Sequence, residues 1–120
     1  MTDIASRTST HVSHRPWGRF EQFTHNEHTT VKVITVEPGR RLSKQRHDHR
    51  GELWQVLDGP VDVDVDEHSW SATAGEVIWV PQGSVHRLGN SSRREARVLE
   101  VAFGNFDEND IERLEDDFAR

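Results

Sequence analysis

The sequence predicts one all-β domain of the sandwich or barrel type, and three observations lead to this prediction. The 120 residues are enough for one hydrophobic core and too few for two. Short runs of β-type residues alternate with turns that contain glycine or proline. These runs follow one another without helical patterns between them, which is typical of sandwiches and barrels.

The predicted strands begin after an N-terminal segment that offers little to bury. Residues 1–14 are rich in serine and threonine, so we expect a flexible arm before an ordered domain at 15–120. Within 61–66 valines alternate with aspartates, which predicts a strand with one buried and one wet face. The strands are expected, in order, at residues 30–36, 52–58, 61–66, 76–81, 85–89 and 96–103.

The end of the chain changes from an alternating to a helical period. Ile111, Leu114 and Phe118 are spaced i, i+3 and i+7, and Asp107 is a suitable N-cap. We therefore expect one short amphipathic C-terminal helix that closes the barrel.

Composition excludes several classes of function. A formal net charge of -6 argues against a protein that neutralises nucleic-acid phosphates over a broad surface. The chain has no cysteine, so it contains no disulfide or thiolate site. No apolar run is as long as a membrane span, which needs about 18 residues, and the N-terminus does not resemble a signal peptide. A cytoplasmic protein without a membrane or nucleic-acid partner is expected.

Two sets of spaced residues carry the candidate chemistry. They comprise, first, Gly39, Gln45, His47, Glu52 and Gly59, and second, Gly75, Pro81, Gly83, His86 and Asn90. Their spacing resembles the two signature motifs of the cupin superfamily, with Gln45 in place of the first histidine of the usual His-x-His pair. The resemblance implies a single-domain jelly-roll barrel.

Four residues of these motifs predict a metal site. Residues two apart on a strand point the same way, so Gln45 and His47 share the inner face, and the turn that follows allows Glu52 to point inward again. His86 joins them from a different pair of strands. Such oxygen and nitrogen ligands suit one divalent ion, with zinc as the first choice and manganese, iron, cobalt or nickel as alternatives. The competing interpretation is a group of polar barrel residues that hold no ion.

The flanking residues resemble a narrower family, the cupin domain of type II mannose-6-phosphate isomerases. The similarity lies at residues 15–18 (RPWG), 31–54, 80–90 (VPQGSVHRLGN), 99–104 (LEVAFG) and 107–120. That domain is also found at the C-terminus of bifunctional mannose-1-phosphate guanylyltransferase/mannose-6-phosphate isomerase enzymes. The resemblance implies interconversion of mannose 6-phosphate and fructose 6-phosphate. Guanylyl transfer is not expected, because the sequence contains no glycine-rich phosphate loop.

This chemistry suggests roles for charged residues in and beside the motifs. Isomerisation needs a base within hydrogen-bond reach of the substrate carbon, and we expect Glu52 in that role, with Glu100 and Lys32 as alternatives. The dianionic phosphate of the substrate needs guanidinium or ammonium groups. We predict catalytic roles for Glu52, Arg50 and Lys32, and substrate contacts for Arg15, Arg87, Trp54 and Glu100.

One departure from the narrower family lies beside a predicted metal ligand. The family usually has a histidine directly after the glutamate, and here Leu53 stands there. Strand alternation predicts that Leu53 faces away from the ion, so the metal site should survive the change.

Two other functions fit the same residues. One is another metal-dependent cupin enzyme, such as a dioxygenase or an epimerase. The other is a non-catalytic module that binds a sugar phosphate or a metal. Small cupins commonly pair through an edge strand or an N-terminal arm, so the resemblance also implies a homodimer.

Overall fold

Eleven β-strands make up the described part of the protein, residues 10–118 of a computed structural model. In chain order they are β1 (His11–Arg15), β2 (Gly18–Gln22), β3 (Thr29–Val36), β4 (Lys44–Arg46), β5 (Arg50–Asp58), β6 (Val61–Val65), β7 (His68–Ala72), β8 (Val77–Val80), β9 (His86–Gly89), β10 (Ala96–Gly104) and β11 (Glu112–Glu115). Within these residues there is no helix that is long and apolar enough to cross a membrane. A cytoplasmic location stays a prediction.

Two larger sheets and one separate ribbon contain these strands. The four-stranded sheet has the order β3-β10-β5-β8, the five-stranded sheet has the order β11-β4-β9-β6-β7, and β1 and β2 form a sheet of their own. Buried side chains from both larger sheets share one core, among them Trp54 and Val98 from the first and Val63 and Leu88 from the second. The two larger sheets therefore face each other as a β-sandwich. The all-β prediction is confirmed, and each of the six predicted strands is present with ends within two residues of those expected.

Successive side chains of β5 point into two different hydrophobic cores. Trp54 points into the core between the sheets, whereas Leu53 packs with Val101 and Phe103 on the other side of the four-stranded sheet. Neighbours on a strand face opposite ways, so Glu52 points to the same side as Trp54. The predicted outward direction of Leu53 is confirmed, and this residue contributes to packing rather than to the candidate site.

The predicted C-terminal helix is wrong, because the segment forms β11 along the edge of β4 instead. Leu114 and Phe118 keep 46% and 43% of their surface exposed, so their helical spacing does not mark a buried face. Charge supplies part of the attraction, since the guanidinium of Arg46 contacts the carboxylate of Glu112 on the paired strand. Opposite charges on adjacent strands favour pairing of those strands. The spacing of apolar residues does not predict such charge pairs.

The predicted flexible arm, residues 1–14, lies mostly outside the described residues. Residues 11–14 belong to β1, which pairs with β2 from His11 opposite Gln22 to Arg15 opposite Gly18. Trp17, in the turn of this ribbon, is 74% exposed. The division of the chain at residue 15 stays a prediction.

We expect Leu53→Ala to lower the free energy of unfolding by about 2–5 kcal/mol, because it leaves a cavity in a closely packed cluster. Denaturant unfolding measures the change. The control is Leu114→Ala, which should shift stability by less than about 0.5 kcal/mol, since this side chain lies largely in solvent. Equal effects of the two substitutions would contradict the assignment of Leu53 to a core.

Candidate metal centre and active site

Three buried side chains converge between the two larger sheets. His47 follows β4, Glu52 lies on β5 and His86 begins β9, and one ligand atom from each lies within 4.8 Å of the others. Glu52 Oε2 is 3.5 Å from His47 Nε2, and Glu52 Oε1 is 3.7 Å from His86 Nε2. All three residues are buried. The carboxylate therefore lies between two imidazoles that reach it from the facing sheet.

Backbone carbonyls orient both imidazoles toward this carboxylate. His47 Nδ1 is 2.6 Å from the carbonyl oxygen of Asp110, and His86 Nδ1 is 3.2 Å from that of Ser84. A carbonyl oxygen only accepts, so each Nδ1 carries the proton and each Nε2 lone pair points toward Glu52. A second partner of this kind is typical of histidines that ligate metals.

Both imidazoles are held neutral. Burial lowers the pKa of His86 to about 4, assisted by His47, because two protonated rings this close would repel each other. Burial is also the main cause that lowers the pKa of His47. Because only the neutral ring offers a lone pair to a cation, His47, Glu52 and His86 can hold a metal ion.

The space beside these ligands has the size of an ion. A cavity of about 20 Å³ is lined by residues that include Gln45, Glu52, His86 and Glu100. That volume accommodates about one water-sized sphere, whereas pockets for small organic ligands measure about 300 Å³ or more. The cavity fits a single ion, and a sugar phosphate does not fit in it.

Gln45 lies at the edge of the cavity, on β4 opposite His86. Its Nε2 donates to Ser43 Oγ over 3.0 Å. The amide nitrogen is thus assigned to Ser43, and the carbonyl oxygen is the atom of Gln45 that suits a cation. Its role as a fourth ligand stays a prediction.

Arg50 is buried against the same ligands. Its Nε donates to Glu52 Oε2 over 3.1 Å, and its Nη2 lies 3.2 Å from His47 Nε2. Nη1 donates to the carbonyl oxygen of Asp107. The guanidinium compensates the buried charge of Glu52. Since His47 Nε2 has one lone pair, a metal ion there would replace its contact with Arg50.

A second buried carboxylate, Glu100, lies beside Glu52 on the adjacent strand β10. Burial raises the pKa of Glu100 to about 7, with a further contribution from the negative charge of Glu52. Lys32 Nζ is 3.4 Å from Glu100 Oε2. Trp54 Nε1 donates to Glu52 Oε1 over 3.2 Å, so the indole orients the ligand carboxylate, and its contact with substrate stays a prediction.

Most of the residues predicted for the site are brought together, whereas Arg15 lies elsewhere and Arg87 lines the cavity with its guanidinium bound to backbone carbonyls. Arg15 is on the β1–β2 ribbon, where its guanidinium lies over the ring of Phe20. Arg87 Nε donates to the carbonyl oxygen of Leu42, and its Nη2 donates to that of Glu115. The substrate contacts of Arg15 and Arg87 stay predictions.

Sequence reasoning missed the contribution of the segment between β10 and β11. Phe106 contacts two cations of the site, with its ring centre 4.8 Å from Lys32 Nζ and 4.2 Å from the guanidinium carbon of Arg50. Asp110 contacts His47 through its backbone carbonyl, and because every residue has such a carbonyl, the sequence could not predict this contact. The similarity of residues 107–120 to the narrower family was the available hint.

The sequence matches a known family over nearly its whole length. The family model described as "Mannose-6-phosphate isomerase C-terminal" matches residues 3–116. The chain belongs to this family. Alginate biosynthesis protein AlgA of Pseudomonas aeruginosa is 40% identical over 117 residues, which are 96% of this chain and 24% of AlgA. Mannose-1-phosphate guanylyltransferase ManC of Salmonella typhimurium is 36% identical over 108 residues, which are 89% of this chain and 22% of ManC. The chain thus spans about a quarter of the length of these curated relatives.

A solved structure has the same fold as this chain. The match is a cupin 2 conserved barrel domain protein of Salinispora arenicola, with a TM-score of 0.59 and 24% sequence identity. The alignment covers 67% of this chain and 66% of the other. The predicted cupin barrel is therefore confirmed.

Replacing Glu100 should change how the stability of the metal-free protein depends on pH. The folded chain keeps the Glu100 proton between the ordinary pKa of 4.5 and the raised value of about 7, whereas the unfolded chain releases it. Stability contributed by this group therefore falls as the pH rises through that window. We expect Glu100→Gln to stabilise the protein at about pH 8 and to have a smaller effect at about pH 5.

Denaturant unfolding in the presence of a chelator measures this difference. The control is Glu67→Gln, which removes an exposed carboxylate and should show no such dependence. A gain from Glu100→Gln that is the same at both pH values would contradict the assigned proton uptake.

Proposed function

We propose that the chain is a metal-dependent sugar-phosphate isomerase that interconverts mannose 6-phosphate and fructose 6-phosphate. Membership of the mannose-6-phosphate isomerase C-terminal family supports the substrate class. The observation that carries the proposal is the convergence of two neutral imidazoles, His47 and His86, on Glu52. This arrangement suits a cation held beside a second buried carboxylate, Glu100.

One divalent ion is proposed as the cofactor, with zinc as the first choice and manganese, iron, cobalt or nickel as alternatives. His47, Glu52 and His86 would hold it, with Gln45 as a fourth ligand. When bound, the ion supplies a Lewis acid that polarises the carbonyl of the substrate. Arg50 would then release His47, and its guanidinium would become available to an anionic group of the substrate.

Isomerisation also needs a base that takes the proton from carbon 2 of mannose 6-phosphate and returns it to carbon 1 of the enediolate. The sequence favours Glu52, but both of its oxygens accept hydrogen bonds, from Arg50 and Trp54. Glu100 Oε2 is buried and, within residues 10–118, accepts no hydrogen bond. We therefore propose Glu100 as the base, with Lys32 as its counter-charge.

The phosphate of the substrate would bind at Lys32 and Arg50, which both contact Phe106. The side chain of Lys32 is 43% exposed, so it can meet a dianion that arrives from solvent. Arg15 and Arg87 are weaker candidates for phosphate binding, because Arg15 lies over Phe20 and Arg87 donates to two backbone carbonyls.

A non-catalytic module that binds a metal or a sugar phosphate is the second candidate. The observation in its favour is the cavity of about 20 Å³, which admits no sugar until the barrel mouth opens. The chain also covers only 24% of AlgA, so an activity of the whole relative need not reside in this part. Binding of mannose 6-phosphate without turnover would support this candidate.

A coupled assay that follows conversion of mannose 6-phosphate tests the isomerase. We expect activity with zinc, loss of activity with a chelator, and recovery when a divalent ion is returned. His86→Ala should abolish both metal binding and turnover, whereas His68→Ala, which alters an exposed histidine, should leave both unchanged. Zinc binding without turnover, under conditions in which the protein is folded, would contradict the proposed activity.

We also propose that the chain forms a homodimer through the outer edge of β3. This strand ends the four-stranded sheet, and its Val31 and Val33 are 57% and 50% exposed. An uncovered edge strand with apolar side chains readily pairs with another strand. A second copy of the chain would cover both features.

Analytical ultracentrifugation should therefore give twice the chain mass of 13.8 kDa. The double substitution Val31→Lys and Val33→Lys should convert the dimer to a monomer, because it places like charges opposite each other across the interface. The control is Trp70→Lys, an exposed aromatic on β7 of the other sheet. A monomeric unaltered chain would sink the proposal.

A further inference from the structure

The segment between β10 and β11 contacts His47 and Arg50 of the candidate site, and we call residues 105–111 the strap. We propose that Asp110, within this strap, is a positioning residue for the metal centre. It would act by holding the turn at residues 47–50, from which His47 and Arg50 reach the site. This inference rests on the proposed metal-dependent function, and it adds a residue that no motif of the chain assigns to it.

Asp110 makes three contacts with this turn. Its carbonyl oxygen lies 2.6 Å from His47 Nδ1. Its side chain accepts a hydrogen bond from the backbone N–H of Asp48 at Oδ1 and another from that of His49 at Oδ2, both over 2.9 Å. One residue therefore orients the ring of a candidate ligand and also holds the two residues that follow that ligand.

The opposite side of the turn is held by the second motif. Gly83 N donates to the carbonyl oxygen of His47 over 3.0 Å, and Gln82 Nε2 donates to that of Asp48 over 2.5 Å. The φ of Gly83 is +84°, a conformation that favours glycine. The carbonyls of the turn are thus bound from one side and its N–H groups from the other, so Asp110 supplies one half of a two-sided support.

The strap itself is fixed near both of its ends. Next to β10, Phe106 packs on the guanidinium of Arg50, and the carbonyl oxygen of Asp107 accepts from the same group. Beyond the strap, β11 pairs with β4, and Lys44 lies 3.7 Å from Glu115. Because the strap is anchored on both sides, the carboxylate of Asp110 is presented to the turn in a defined position.

Holding the turn matters because a metal site tolerates little displacement of its ligands. The polar partners that orient ligating histidines commonly contribute about 10–100-fold in metal affinity. Asp110→Asn retains the backbone carbonyl but replaces one carboxylate oxygen with an NH₂ group that faces a backbone N–H. The substitution therefore loosens the turn without removing any candidate ligand.

The test measures the dissociation constant of Zn²⁺ by calorimetry and the visible absorption spectrum of the Co²⁺-loaded protein. Asp110→Asn should raise the dissociation constant about 10-fold, the lower end of that range because the carbonyl that orients His47 is retained, and should change the Co²⁺ spectrum, measured well below the unfolding temperature of the variant. The matched control is Glu108→Gln, which removes one exposed carboxylate from the same strap and should change neither quantity. A merely structural role would lower the unfolding temperature and leave both metal readouts unchanged.

A second variant covers the case in which Asp110→Asn does not fold. Asp110→Glu keeps the carboxylate and shifts it by one methylene, so we expect a smaller loss of Zn²⁺ affinity than an amide would cause. Unchanged affinity and an unchanged Co²⁺ spectrum in the folded variants would overturn the role of Asp110 alone. Failure of the unaltered protein to bind either ion would overturn the metal centre and this inference together.

Discussion

A carboxylate buried between two sheets has to be compensated by charge or by hydrogen-bond donors, and Glu52 imposes this requirement on the barrel interior. Arg50 and Trp54 donate to its two oxygens, and the imidazoles of His47 and His86 face the same group. The requirement explains why Arg50, Trp54 and the two imidazoles gather around this one buried carboxylate.

The sandwich makes this arrangement possible because its two sheets contribute different chemistry. Strands β5 and β10 carry the acidic groups, Glu52 and Glu100, whereas the imidazoles of His47 and His86 reach across from the five-stranded sheet. Each sheet keeps its own backbone hydrogen bonds, so the ligands are presented by rigid elements. The turn between β4 and β5 is the exception, and there Asp110 of the strap binds the N–H groups while Gln82 and Gly83 of the second motif bind the carbonyls.

Burial of the reactive groups also controls access to them. His47, Glu52, His86 and Glu100 are buried, and the cavity lined by the last three measures about 20 Å³. A sugar phosphate can reach these groups only if the mouth of the barrel opens. Lys32, with its half-exposed side chain, is the charged residue that the proposed sugar-phosphate substrate would meet from solvent. In the proposed reaction, burial of these groups would shield the reacting carbons from water.

Much of this protein follows from its sequence alone. Alternation predicts six of the strands and the opposite directions of Leu53 and Glu52, because the side-chain period of a strand is a local property. Motif spacing likewise selects His47, Glu52 and His86. Only the tertiary structure turns residues 112–115 into a strand and brings Asp110 against His47, since the contacting residues lie 63 positions apart in the chain. Packing decides the carbonyl that orients His47, whereas the carbonyl that orients His86 belongs to Ser84, only two positions away in the chain.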